Sequence, residues 1–325
     1  MVILTVAAPA WPEPPAGLLV DLVTPLTREG VLDREGLKRL TDRVLPAAAG
    51  LVAGSPGAGE ALDLPLPVRR DLISVTLAAV AGRSPVLFGV TGHSPEETRQ
   101  LALHLAQECR ARRYPGPVFL ADLPLWYHSN RGLPRFYRLL LEEVSLPLVL
   151  FNLPGVIARR ALVFKRRNLR TQVFKKLVQL DALVGLIFQG EMGRFLNYHH
   201  AAATRPSLAF YEGDEVNFLT RPGAWGVLSS GAQLLPGPWA RVTRACLHPD
   251  EAGEDHEARL QLWSLSQGLL ELARLCRPRP AAVIKAALAT LGVISSPATA
   301  APAPPEAAAA RKRILDLAAG LAPSS

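Results

Sequence analysis

Short runs of apolar residues, each closed by Gly, Pro or a polar residue, recur along most of the chain. Stretches with helical periodicity separate them. The runs are 17–25 (GLLVDLVTP), 50–56 (GLVAGSP), 85–92 (PVLFGVTG), 117–124 (PVFLADLP), 147–154 (PLVLFNLP), 182–190 (ALVGLIFQG), 208–214 (LAFYEGD) and 224–231 (AWGVLSSG). Apolar runs of this length with punctuated ends read as strands buried on both faces. Between the early runs, 33–45, 66–81 and 94–112 read as helices, and the last opens SPEE, where Ser94 can cap and Glu97 can complete a capping box.

Strand and helix in regular alternation predict an α/β fold with parallel strands and crossover helices, and eight such strands favour a closed (β/α)8 TIM barrel over an open sheet. After about residue 236 the strand pattern stops, and 257–275, 281–291 and 305–321 read as helices. The expected organisation is an N-terminal extension (1–16), a barrel (17–240) and a helical C-terminal extension (241–325). An Ala/Pro-rich linker, 296–305, precedes the last helix.

Composition adds exclusions. The 325 residues are 49% hydrophobic and 20% charged, too apolar for a disordered chain, and three cysteines are too few for a disulfide scaffold. Cys109, Cys246 and Cys276 are widely spaced, with no CxxC pair and no Cys/His cluster, which predicts buried thiols in a reducing, cytoplasmic setting, and no metal site or cofactor. The first eight residues are apolar but follow no basic segment, so a secretory leader is not expected. The longest uncharged stretches, 222–240 and 286–305, are broken by Pro and Gly, so no membrane span is expected.

The basic excess is local. Eight basic residues and no acid lie within 159–176 (Arg159, Arg160, Lys165, Arg166, Arg167, Arg170, Lys175 and Lys176), and 36 basic minus 28 acidic residues leaves the same excess of eight for the whole chain. One reading is a patch for nucleic acid, an acidic partner or an anionic ligand. The plainer one is a solvated helix face, docked through Leu169, Val173, Leu177 and Leu180. No aromatic-plus-basic nucleic-acid motif accompanies the segment, so nucleic acid is not the expected partner.

In a barrel of this kind chemistry belongs at the C-terminal ends of the strands. That rule selects SPGAGE (55–60), LWYHSN (125–130), FNLP (151–154), FQGE (188–191), YEGDE (211–215) and SSGAQ (229–233). The order of motifs over about 17–291 resembles the dihydrodipicolinate synthase and N-acetylneuraminate lyase family of class I aldolases. The resemblance is carried by LVTPLTREGVLDREGLKRL (22–40), the Gly-Glu of GAGE at Gly59 and Glu60, GVTGHSPEET (89–98) and PLWY (124–127). It continues in FNLP (151–154), EGDE (212–215), GAWGVLSSGAQLLP (223–236) and VIKAALATLG (283–292).

The resemblance implies pyruvate or a related 2-oxo acid, bound as a Schiff base on a lysine at the end of the sixth strand, where an amine must add to the keto carbon. In this chain Ile187 stands there, and isoleucine forms no imine. The family's proton-relaying tyrosine is matched by Phe151, its paired threonines by Gly57 and Ala58, and the tyrosine that reaches a neighbouring subunit by Trp126. One extra residue in SPGAGE leaves Ser55 as an alternative hydroxyl, and Tyr127 stands next to Trp126. The arginine that receives the substrate carboxyl is matched by Val156, with Arg159 and Arg160 close by.

None of the six lysines (Lys38, Lys165, Lys175, Lys176, Lys285 and Lys312) falls in or at the end of a predicted strand. The leading expectation is therefore a family barrel without Schiff-base catalysis, non-catalytic or repurposed to bind a small molecule, a 2-oxo acid included. Its pocket would be formed by Ser55, Glu60, Trp126, Tyr127, Phe151, Ile187, Gln189 and Ser229. The resemblance further implies a homo-oligomer, or a partner of a catalytically intact relative. Two alternatives stand beside it: a lyase using a displaced lysine or imine-free acid/base chemistry through Glu60, Glu191 or Asp214, and an anion or nucleic-acid binder acting through 159–176.

Overall fold

The computed structural model describes residues 11–160, 166–220, 224–252, 255–302 and 306–321. Every predicted apolar run holds a strand: β1 (Gly17–Asp21), β2 (Gly50–Ala53), β3 (Val86–Gly89), β4 (Val118–Asp122), β5 (Leu148–Asn152), β6 (Leu183–Phe188), β7 (Ala209–Glu212) and β8 (Gly226–Ser229). Each pairs in parallel with the next, and β8 pairs with β1, closing an eight-stranded barrel. The closing ladder aligns Gly17 with Gly226 and Val20 with Ser229. At Gly226 a Cβ would lie 2.0 Å from the Gly17 carbonyl oxygen, so the seam needs a residue without a side chain there.

Around the strands run α1 (Arg34–Val44), α2 (Leu66–Val80), α3 (Pro95–Arg112), α4 (Leu133–Val144), α5 (Pro154–Ala158), α6 (Thr171–Leu177), α7 (Met192–Ala201), α8 (Glu215–Thr220) and α9 (Pro236–Leu247). Asp33 caps α1, accepting from the Gly36 amide at 2.8 Å. Ser94 caps α3 through the Glu97 amide at 3.1 Å, as its sequence predicts, but Glu97 accepts from the His93 amide rather than from that of Ser94. The reciprocal bond thus closes one residue upstream of a standard capping box.

The solvated helix face holds for only part of the basic segment. On α6 Phe174 and Leu177 are buried while Lys175 and Lys176 are exposed. Arg166, Arg167 and Arg170 are exposed in the non-helical stretch before it, anchored by buried Leu169, and Val173 and Leu180, expected to dock the helix, are half-buried. Lys165 lies outside the described residues, as do 1–10, the start of the N-terminal extension.

The C-terminal helices are α10 (His256–Cys276), α11 (Pro280–Thr290) and α12 (Glu306–Leu321). α10 packs on α8, α9 and α12, and α11 packs on α12. Helix α9 runs across residue 240, and Leu269, Leu272, Ile284, Leu288 and Ile314 belong to the same buried apolar cluster as the strands. Cys276 is buried and Cys109 and Cys246 are half-buried, all as free thiols. Among the described residues no helix is long and apolar enough to cross a membrane.

The linker is fastened to the barrel rather than loose. The Ser295 amide donates to Asp33 at 2.8 Å, and the Ala300 amide donates to Glu60 at 2.9 Å. Lys285 of α11 is fully buried, forms an ion pair with Glu60, and donates to the Ala298 carbonyl at 2.9 Å. Burial pulls the Lys285 pKa down while Glu60 opposes that shift by favouring the charged amine. Removing one partner of a buried pair leaves the other charge without compensation, at about 3–5 kcal/mol. Lys285→Met is therefore expected to lower the unfolding free energy in urea by about that amount. The Lys285→Met/Glu60→Gln double variant should lose less than the single one.

Candidate functional site

A cavity of about 100 Å³ opens at the C-terminal ends of the barrel strands. Asp21 enters it from the end of β1, Ser55 from the loop after β2, Gln189 from the turn after β6, and Asp214 and Glu215 from the turn after β7. Ser230 follows β8, and Arg277 closes the outer side from the end of α10. Residues more than 250 apart thus meet because every strand of a parallel barrel ends at the same rim.

The loop after β2 is shaped by Ser55, whose hydroxyl oxygen accepts from the Gly57 amide at 3.2 Å and the Gly59 amide at 3.0 Å. A Cβ at Gly59 would lie 2.3 Å from the Ser55 nitrogen, so this tight return requires glycine. The next residue, Glu60, has a φ of 54°, a left-handed conformation that side chains disfavour. Its carboxylate contacts, to Lys285 and the Ala300 amide, hold it there.

Asp21 is 5% exposed. Its Oδ2 accepts from the Ala58 amide at 3.4 Å, whereas Oδ1 is buried without a hydrogen bond. Desolvation raises its pKa to about 7, with Ser55 and the Ala58 amide pulling the other way and the charge of Glu215 adding to the rise. Glu215 Oε1 accepts from the Ser229 hydroxyl at 2.5 Å and from the Gly231 amide at 2.8 Å. Its pKa is raised to about 6, chiefly by burial, with those two bonds opposing and Asp214 adding. Asp214 is committed elsewhere: Oδ1 accepts from the Asn217 amide at 3.1 Å, and Oδ2 pairs with Arg277 at 2.7 Å.

Of the residues expected to form the pocket, Ser55 and Gln189 line it, as do Gly57 and Ala58, which the resemblance matches to the paired threonines. Gln189 donates to the Gly213 carbonyl at 2.6 Å. Ile187 and Phe151 are paired neighbours on β6 and β5, both fully buried, and neither is on the cavity wall. Ile187 packs under Gly213, where an added Cβ would sit 3.1 Å from its Cγ2. Ser229 is one step away, acting through Glu215, because the strand alternation turns its neighbours Leu228 and Ser230 to the cavity instead.

Three expected residues lie apart from the cavity. Glu60 points to the C-terminal extension and its lysine. Tyr127 donates to Asp122 at 2.6 Å, in a buried cluster that also holds Tyr137 and Thr91, and is not on the cavity wall. Trp126 is capped by Arg160, whose guanidinium lies 5.1 Å above its ring and also donates to its carbonyl. Arg159 donates to the Pro56 carbonyl at 3.5 Å. Both arginines are thus bound over the rim loops and neither lines the cavity. Two polar loop residues, His128 and Asn130, also lie off the wall, and Asn130 instead accepts from the Arg170 amide at 2.7 Å.

Sequence reasoning passed over Asp21 and did not set Glu215 apart from its acidic neighbours. A signal was present for the first: Asp21 is the one charged residue in the run GLLVDLVTP, two positions after Leu19, and strand residues two apart share a face. For Glu215 no signal was present, since YEGDE offers three carboxyls and only the fold brings Asp214 and Glu215 to the cavity and pairs Asp214 with Arg277, leaving Glu215 to Ser229 and Gly231.

Known proteins agree with this architecture. Residues 14–319 match the Dihydrodipicolinate synthetase family. A 4-hydroxy-tetrahydrodipicolinate synthase of Aromatoleum aromaticum (strain DSM 19018 / LMG 30748 / EbN1) is 30% identical over 310 residues, covering 92% of this chain and 96% of the relative. The solved 4-hydroxy-tetrahydrodipicolinate synthase of Methylacidiphilum fumariolicum SolV is 25% identical with a TM-score of 0.74, covering 94% of this chain and 96% of that one. YagE of E. coli K12, solved in complex with pyruvate, is 21% identical with a TM-score of 0.76, covers 93% and 98% of the two chains, and shows the fold alone. With eight parallel strands in a closed barrel, the motif order along them and a match from residue 14 to 319, this chain belongs to the dihydrodipicolinate synthetase family.

Proposed function

We propose that this chain is a family barrel that binds a small molecule in its strand-end cavity without forming an imine. The observation that carries this reading is the absence of an amine where the chemistry needs one. Ile187 stands at the position that the resemblance gives to the Schiff-base lysine, and among the described residues no lysine lines the cavity. Lys38, Lys175, Lys176 and Lys312 are exposed on outer helices. Lys285 is buried but engaged by Glu60 and the Ala298 carbonyl. Phe151, at the position the resemblance gives to the proton-relaying tyrosine, has no hydroxyl, and Tyr127, beside the position of the subunit-reaching tyrosine, is engaged by Asp122.

A second reading, acid/base chemistry without an imine, is favoured by the pKa values of Asp21 and Glu215. Two carboxyls at about 7 and about 6 on one cavity wall can hold one proton between them near neutral pH, as a general acid and base require. They supplant the acid/base candidates read from sequence: Glu60 is paired with Lys285, Asp214 with Arg277, and Glu191 is exposed at the start of α7.

Borohydride reduction in the presence of pyruvate, followed by intact mass measurement, tests the first reading. No adduct is expected on the wild-type chain, and a trapped pyruvyl adduct overturns it.

The carboxyl environment has its own test. Burial raises the Asp21 pKa from 3.8 to about 7, so folding favours the protonated form. That contribution is complete below pH 4 and is lost as pH rises through about 7. Asp21→Asn, which carries no charge at any pH, should therefore gain stability relative to wild type by roughly 2–3 kcal/mol between pH 5 and pH 8. Urea unfolding at the two pH values reads the difference, and a pH-independent offset would place the Asp21 carboxyl in water.

A further inference from the structure

The charge of the cavity is unlike what a 2-oxo acid requires. Its wall carries three carboxyls, Asp21, Asp214 and Glu215, against one cation, Arg277. Asp214 and Arg277 neutralise each other at 2.7 Å. Among the described residues neither Asp21 nor Glu215 forms an ion pair, so the uncompensated charge facing the cavity is negative.

Asp21 adds a second and independent feature. Its Oδ1 is a buried acceptor without a hydrogen bond, on a side chain that lines the cavity and is 5% exposed. A buried acceptor left without a donor is unfavourable until a donor arrives. The donors around the cavity do not reach it: the Ala58 amide meets Oδ2, the Ser229 hydroxyl and Gly231 amide are taken by Glu215, and the Ser55 hydroxyl, which opposes the rise of the Asp21 pKa, forms no hydrogen bond with Oδ1.

We propose that this cavity takes a small molecule carrying a protonated amine, seated between Asp21 and Glu215, in place of a 2-oxo acid anion. An ammonium supplies three donors and one positive charge, matching one orphaned acceptor and two carboxyls. A carboxylate ligand brings only acceptors and a like charge into a recess where charges are weakly screened. The inference rests on the reading that the strand-end cavity is a ligand site working without an imine.

Three probes that fit about 100 Å³ separate the possibilities: ethanolamine as its hydrochloride, ethylene glycol as its uncharged counterpart, and pyruvate as the anion. Ligand-observed NMR titrations of the full chain at pH 8, above the pKa values of both carboxyls, read their relative affinities. Ethanolammonium is expected to bind at least tenfold more tightly than either competitor. Asp21→Asn should remove at least tenfold of that affinity. Glu215→Gln serves as a second variant should the first disturb the 55–59 loop, and Asp42→Asn on the surface of α1 should leave binding unchanged. Pyruvate binding as tightly as ethanolammonium overturns the inference, as does ethanolammonium affinity that survives both cavity substitutions or no detectable binding of ethanolammonium. The two readings fail differently: a borohydride-trapped pyruvyl adduct removes the imine-free function, whereas unmodified protein that prefers pyruvate removes only the amine.

Discussion

Closure of the β1–β8 seam is the constraint on which the rest of the molecule depends. A parallel sheet left open would expose unpaired backbone groups at β1 and β8, and pairing those two strands removes both edges at once. The seam draws the chains together closely enough that a side chain on Gly226 would collide with the Gly17 carbonyl. Once it is shut, all eight strands end at one rim, and loops separated by most of the sequence share a single small space. The Gln233 side chain reinforces the closed rim, donating to the Asp21 carbonyl at 2.6 Å and accepting from the Val23 amide at 2.9 Å.

Inside that space desolvation dominates. Asp21 stands at the end of a strand otherwise filled with leucine and valine, and its carboxyl is removed from water with only partial hydrogen bonding in return. Glu215 is better satisfied, by Ser229 and Gly231, and its pKa rises less. In both, burial is the main cause of the rise, and hydrogen bonds to the charged form oppose it. Where the family resemblance implies a lysine and a tyrosine, the barrel holds Ile187 and Phe151, packed as ordinary core residues. Among the described residues the titratable groups on the cavity wall are Asp21, Asp214, Glu215 and Arg277.

The C-terminal helices are part of this construction. Their apolar residues join the core of the barrel, Arg277 at the end of α10 closes one side of the cavity, and Lys285 of α11 holds Glu60 from behind. Glu60 in turn sits in a left-handed conformation at the end of the Ser55 loop, whose Ser55 and Ala58 bear on Asp21. A chain of contacts therefore runs from the extension, through the loop, to the cavity wall.

The order of apolar runs and helical stretches determined the fold, because alternation of strand and helix leaves a parallel barrel as the economical way to bury eight doubly apolar strands. The motif order determined the family, and it placed Ile187 where the resemblance implies a lysine. What the sequence did not determine is which polar side chains turn into the cavity. Tyr127 and Glu60 stand in rim loops by position, yet their side chains leave the cavity for Asp122 and Lys285, while Asp21, hidden in an apolar run, enters it. Direction at a strand end is set by closure, alternation and the partners that loops and helices offer from elsewhere in the chain. Those are long-range contacts, and only the tertiary structure decides them.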